Sequence, residues 1–273
     1  MGERLTSEIA SGAAAFGITL PDGALDLYNR YYELLTEKNA VMNLTAISGE
    51  AETARLHILD SLAVIAALND NATNTAQEAS LLRNNSKSAA PATSPLRGNK
   101  LSGKQMIDIG SGAGAPGLII AIAQPELRVT LLESREKRAE FLSDTISALG
   151  LTNVIVAAAR AEEYIKERRA ELDLVTARGV ARLNVLCELC LPFLRIGGLL
   201  AAHKAADTDG ETEEAAIAAR AVGGELQNDW EYTLPGGAEP RRIVVFSKTG
   251  ETDRRYPRRW AAIQRAPLGA VGE

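Results

Sequence analysis

The stretch Asp108-Ile109-Gly110-Ser111-Gly112-Ala113-Gly114-Ala115-Pro116-Gly117 decides how this chain folds. An apolar segment, Gln105 to Ile109, runs into it and a second begins at Gly117, so the stretch reads as a turn from strand to helix. Glycines at such a turn let the backbone bend tightly and approach a ligand lying over the helix N-terminus. Gly112, Gly114 and Gly117 have the spacing of the dinucleotide fingerprint, and Glu133, ending the next strand, is placed to bind ribose hydroxyls. That spacing is weak as a choice between ligands. Two further residues favour S-adenosyl-L-methionine over NAD: Asp108 just before the first glycine, and Pro116, which stiffens the helix start. A methyl donor brings an ammonium and a sulfonium, which suit a nearby carboxylate, whereas NAD brings two phosphates, which do not.

Outward from the loop the chain alternates regularly. Strands are expected at Gln105 to Ile109, Val129 to Leu132, Val154 to Ala157, Leu172 to Thr176 and Leu199 to Ala202, with helices between them, as at Glu136 to Leu149. Alternation at these lengths means a mostly parallel, Rossmann-like doubly wound sheet covered by helices on both faces. Glu225 to Leu234 and Arg242 to Ser247 instead follow one another across Pro235-Gly236-Gly237, which predicts a terminal antiparallel hairpin. Upstream, Leu25, Tyr28, Tyr32 and Leu35 fall at helical spacing after Pro21-Asp22, and a second helix is expected from Glu50 to Leu68. The organisation expected is an N-terminal helical cap (1–70), an Asn/Ser/Pro-rich mobile insertion (71–104), the α/β core (105–250) and a basic tail (251–273). The insertion offers too little apolar surface to offset the entropy of ordering it.

Composition bounds the function. The 273 residues, 46% apolar and 24% charged, suit a globular protein, and no apolar run approaches the length of a membrane span. Two cysteines, Cys187 and Cys190, fit a reducing, cytoplasmic setting; in an apolar helical stretch they read as packing, and no metal site is expected. A net charge of −5 argues against indiscriminate nucleic-acid binding. The tail is locally basic all the same, with Arg254, Arg255, Arg258 and Arg259 close together.

Several motifs in order resemble one family. These are Asn39-Ala40-Val41-Met42-Asn43-Leu44-Thr45-Ala46-Ile47, His57-Ile58-Leu59-Asp60-Ser61-Leu62, the glycine loop, Ala159-Arg160-Ala161-Glu162-Glu163, Ala177-Arg178-Gly179-Val180-Ala181, Lys204, and Tyr256-Pro257-Arg258 with Pro267-Leu268. Together they look like the GidB/RsmG family of bacterial 16S ribosomal RNA guanine-N7 methyltransferases, over nearly the whole chain outside the insertion. The resemblance implies a class I S-adenosylmethionine-dependent methyltransferase fold and action on 16S ribosomal RNA or the small ribosomal subunit; a monomer is expected. It implies that Gly110 and Ala115 hold the donor, with Glu133 at the ribose, Ala161 and Glu162 near the adenine, and Arg178 at the end of the fourth strand. Asp108, Gly112 and Gly114 would shape the same pocket. Asn39, Asn43, His57, Asp60 and Ser61 would line the approach to the methyl group. Read without the family, Asn43 equally well caps a turn and His57 fills a polar core position. Three departures stand out: the insertion itself, Ala205 where the family often has glycine, and Ala261 and Ile263 where its tail often has glycine and proline.

Guanine N7 carries an in-plane lone pair and no proton, so methyl transfer to it needs alignment more than proton removal, and no acid–base dyad is expected. Arg178 and Asn43 are the candidates for holding the base, while Arg160, Lys204 and Arg258 can meet phosphates. Two other readings compete: an RNA-binding ribosome-assembly factor with a vestigial donor pocket, and an NAD-dependent oxidoreductase.

Overall fold

The computed structural model describes residues 2–69, 101–205, 210–237 and 239–270. Three helices come first: α1 (Glu3–Ala15), α2 (Ala24–Met42) and α3 (residues 50–69), whose segment Thr53–Leu59 is wound as a π-helix. The α/β part follows as β1 (Gln105–Ile109), α4 (Gly117–Ala123), β2 (Arg128–Leu132), α5 (Glu136–Leu149), β3 (Val154–Ala157), α6 (Ala161–Arg168) and β4 (Leu172–Arg178). It continues through α7 (Leu183–Cys190), β5 (Leu194–Ala205), α8 (Glu211–Ala221), β6 (Gly224–Thr233), β7 (Pro240–Lys248) and α9 (Trp260–Arg265).

The seven strands form one sheet in the order β3-β2-β1-β4-β5-β7-β6, with β7 antiparallel to both its neighbours and the first five strands parallel. This is the class I methyltransferase sheet expected from the alternation and the terminal hairpin. Both faces are buried, and the period of two along each strand sorts neighbouring residues between two cores. Met106, Leu174, Leu199 and Val245 face one core; Ile107, Val175, Leu200 and Val244 face the other. No helix of the described residues is long and apolar enough to cross a membrane.

The first three helices are not an independent lobe. Leu5, Ile9, Tyr28, Ile58 and Leu59 share one continuous core with α4 and α5. Two fully buried tyrosines pin them there: the Tyr28 hydroxyl donates to the Ile119 carbonyl at 3.0 Å and the Tyr31 hydroxyl to the Ala113 carbonyl at 2.9 Å. The buried stripe of α2 is therefore Ala24, Tyr28, Tyr31 and Leu35, rotated from the expected one, with Tyr32 only half-buried. Most of the stretch expected to be a mobile insertion, 71–100, lies outside the described residues. Its last four residues belong to the folded part: Leu101 is buried, and Lys104 accepts the Arg128 amide at the head of β2. Cys187 and Cys190 are buried in α7, as packing requires.

The tail is likewise part of the fold. The Arg258 guanidinium makes a two-pronged pair with the fully buried Glu188 of α7, at 2.8 and 2.6 Å, and Ile263 is fully buried in the second core. Pairing at Arg258 and burial at Ile263 explain why a sequence so rich in arginine folds back onto an apolar helix.

Candidate functional site

At the C-terminal edge of the parallel strands, where open α/β sheets place ligands, two cavities of about 490 and about 470 Å³ share Gly110, Arg138 and Gly179. They form one groove. The first runs under α3 and is lined by Thr45, His57, Asp60, Gly112, Ala115 and Arg178, among others. The second is bordered by Glu133, Arg160, Ala161 and Glu162. A third cavity of about 270 Å³ adjoins the first at Asp60, Arg178 and Arg241, and includes His203 and Lys204.

The glycine loop is closed by its own hydrogen bonds. The Gly110 and Ser111 amides donate to the Leu132 carbonyl at 2.8 and 3.1 Å, and Gly114 to Ser111 at 2.7 Å. Gly112 donates to Glu133 Oε2 at 3.0 Å and Gly117 to Asp108 Oδ2 at 3.1 Å. Glycine is required at two of these positions for different reasons. Gly110 has φ +73° and a Cβ there would lie 2.7 Å from Val180; at Gly117 a Cβ would lie 2.6 Å from the Asp108 Cβ. Asp108 is fully buried and outside the groove lining, its other oxygen accepting from Thr176 Oγ1 at 2.8 Å. Burial pushes its carboxyl up from the ordinary value, opposed chiefly by the Thr176 hydrogen bond. Its position before the glycines suggested a contact with the donor's ammonium; in the structure both oxygens are engaged within the protein and the side chain builds the loop. Gly114, packed on Leu118, also shapes the loop from behind.

Asp60 organises the other wall. Its Oδ2 accepts from Arg178 Nη1 at 2.9 Å, while Oδ1 accepts from the Tyr232 hydroxyl at 2.6 Å and Arg241 Nη1 at 3.3 Å. Its carbonyl takes His203 Nε2 at 2.8 Å. One residue of α3 thus grips β4, β5, β6 and β7. Burial raises the Asp60 carboxyl, but His203, Arg178, the Tyr232 hydrogen bond and Arg241 together bring it below its ordinary value. The π-turn contributes too: the Asp60 amide donates to Arg55, five residues back, and the Leu56 carbonyl accepts from Arg178 Nη1 at 2.8 Å.

His57 is buried between Arg178 and Thr45. Arg178 has only donors, so the His57 Nδ1 facing its Nη2 at 3.4 Å is an acceptor, and the single ring proton sits on Nε2, 3.0 Å from Thr45 Oγ1. Burial first, then the Arg178 charge, holds its pKa down to about 4, against the pull of Asp60. The ring is neutral at pH 7.

Of the residues singled out from sequence, the groove gathers Gly110, Gly112, Ala115, Glu133, Arg160, Ala161, Glu162, Arg178, His57 and Asp60. The others stand elsewhere. Asn43 is the exposed left-handed C-cap of α2, at φ 48° and ψ 54°, outside the groove lining. Asn39 ties that turn by accepting the Thr45 amide and donating to the Thr45 carbonyl, at 2.9 and 3.0 Å. Ser61 is buried and donates to the His57 carbonyl within α3. Lys204 borders the third cavity but is paired with Glu211 at 2.8 Å, and Arg258 is committed to Glu188. Asn43 aside, each of these polar groups is satisfied by the protein itself, which sequence spacing does not reveal. Conversely, Thr45, Arg138, His203, Tyr232 and Arg241 line the site without having been singled out. Thr45 lay within the 39–47 motif; the rest had no signal.

Comparison with known proteins agrees with this geometry. The family model described as GidB, rRNA small subunit methyltransferase G, matches residues 92–229. The ribosomal RNA small subunit methyltransferase G of Pelotomaculum thermopropionicum is 36% identical over 266 residues, covering 97% of this chain and 99% of that protein. Its namesakes from Levilactobacillus brevis (38% over 264 residues, 96% and 98% covered) and Streptococcus sanguinis (39% over 255 residues, 92% and 94% covered) are similar throughout as well. A likeness that runs from end to end of both chains, over a sheet with this strand order, means that this chain belongs to the GidB family of rRNA small subunit methyltransferases G.

Proposed function

We propose that the protein transfers a methyl group from S-adenosyl-L-methionine to N7 of a guanine in 16S ribosomal RNA of the small ribosomal subunit. The observation that carries the donor assignment is that every glycine amide of the loop is committed to the protein, which leaves only those of Ala113 and Ala115. A dinucleotide site offers free loop amides to a pyrophosphate, whereas here the amides of Gly110, Ser111, Gly112, Gly114 and Gly117 are all taken by the protein. A nucleoside without phosphates fits such a loop. Glu133 stands beside it to accept ribose hydroxyls, and Ala161 and Glu162 open α6 at the adenine end.

When bound, the donor supplies an electrophilic methyl on a sulfonium. The protein's part is alignment and exclusion of water. Arg178, at the junction of two cavities and held by Asp60 and Leu56, presents a fixed cationic edge suited to the acceptor atoms of a guanine. His57 is too weak a base at neutral pH to take a proton, which agrees with an acceptor that has none to lose.

Two measurements test the reading. Calorimetry should show S-adenosylhomocysteine binding and no NAD binding. Mass spectrometry of 16S ribosomal RNA from cells with and without the gene should show one 7-methylguanosine lost; an unchanged modification set would remove the RNA assignment, and NAD binding as tight as that of the donor product would remove the donor.

A further inference from the structure

Three arginines of the groove make no ion pair with a described residue, and of these Arg135 and Arg160 are exposed whereas Arg138 is not. It is half-buried in the first turn of α5 and borders both halves of the groove. Its guanidinium makes no hydrogen bond or ion pair with any described residue. The other arginines of this wall differ: Arg178 gives its protons to Asp60 and Leu56, and Arg241 is paired with Asp60. Glu133, on the adjoining strand end, accepts the Gly112 and Arg135 amides and forms no ion pair with Arg138. A charge drawn partly out of water normally finds a partner. No described residue supplies one here, and the side chain faces the groove.

We infer that Arg138 binds the amino-acid carboxylate of the methyl donor. The inference rests on the donor assignment above. Arg138 Nη1 lies 3.9 Å from where a Cβ on Gly112 would sit, against the loop itself and not out on the rim. With the ribose at Glu133, the short chain beyond the ribose passes Gly110 and Gly112 into the cavity that Arg138 shares. The carboxylate is the donor's only anion, and a planar guanidinium suits a carboxylate in a two-pronged fashion. The same contact suits a loop whose glycine amides are committed to the protein: the anionic end of the ligand is met by a side chain. RNA phosphates are the competing source of negative charge.

The test compares two ligands that share the adenosine half and differ in the amino-acid end, S-adenosylhomocysteine and 5′-methylthioadenosine. Both are titrated calorimetrically into the full chain, as wild type and as Arg138→Gln and Arg138→Lys. Loss of a charge-assisted contact should weaken S-adenosylhomocysteine by about tenfold or more in Arg138→Gln. Methylthioadenosine should change by less than about twofold, which also shows that the variant is folded, and Arg138→Lys should recover part of the loss. Unchanged S-adenosylhomocysteine affinity overturns the assignment, and does so in favour of phosphate if 16S RNA binding falls instead. Equal weakening of both ligands overturns it in favour of a merely structural role. If the wild type binds neither ligand, the donor assignment itself falls and this one with it, an outcome distinct from the first two.

Discussion

His57 carries a pH dependence that its position in the chain does not suggest. In the folded protein it takes a proton only near pH 4, whereas an unburied histidine does so near 6.5. Between those values the unfolded chain binds more protons, so stability falls as the pH drops through this window, on the order of 3 kcal/mol for His57 in all. His203, also held down by burial, acts in the same direction. Asp60 has the opposite displacement from that of a buried lone acid: its folded pKa is lowered, so its contribution is present above the ordinary carboxylate range and disappears only below it. Urea midpoints of the wild type should therefore fall from pH 7 to pH 4.5, and His57→Gln should show a flatter profile; parallel profiles would mean that the ring is not the titrating group. The same neutral ring bears on the rate. Single-turnover methylation should show no rising limb between about pH 6 and 8, and Arg178→Ala should be slower at every pH. A limb near 6.5 that vanishes in His57→Gln would mean that a proton is removed, which would move the acceptor from N7 to an exocyclic amine or a ribose hydroxyl.

The loop and the helix that follows it act as one unit, because Asp108 both ends β1 and ties the amide of Gly117. A methyl group at position 117 would fall 2.5 Å from Leu131 Cδ2 and 2.6 Å from the Asp108 Cβ, both in packed surroundings. Gly117→Ala should cost about 2 kcal/mol of stability by overpacking. Because the displaced groups build the loop, S-adenosylhomocysteine affinity should drop with it. Denaturation and calorimetry on the same variant check both, and retained affinity in a destabilised variant would show that loop and helix are independent. The π-turn of α3 couples similarly, by aiming Leu56 and Asp60 at the same arginine. Nothing in 53–59 announces it: the residues include no glycine or proline, and the apolar spacing of an ordinary helix persists.

The whole molecule folds its two ends onto opposite faces of one sheet, the cap helices on one core and the tail on the other. The basic tail therefore divides into two kinds of arginine. Arg258→Ala would strand the buried Glu188 without its partner and should cost about 3 to 5 kcal/mol. Arg254, Arg255 and Arg259 are exposed, Arg255 lying over the Tyr256 ring at 4.9 Å. Changing these three to Ala should leave stability within about 0.5 kcal/mol. It should weaken RNA binding and flatten its dependence on salt, without altering donor affinity. An unaltered salt slope would assign the triplet to a solvated end. The strands, the helices between them, the inserted antiparallel strand and the glycine turn were all legible in the chain, because periodicity and turn chemistry act between residues a few positions apart. So was much of the groove lining, since Gly110, Glu133, Ala161 and Arg178 each sit at a strand or helix end that local sequence marks. What the fold alone decided is which polar side chains are free. Asp108, Asn39, Ser61, Lys204 and Arg258 are consumed by partners within the protein, Asn43 caps a helix, and Arg138 is left over. Those pairings join residues as far apart as Asp60 and Arg241, 181 positions along the chain. A hydrogen bond or ion pair depends on distance in space, and only the packed sheet brings such residues within reach.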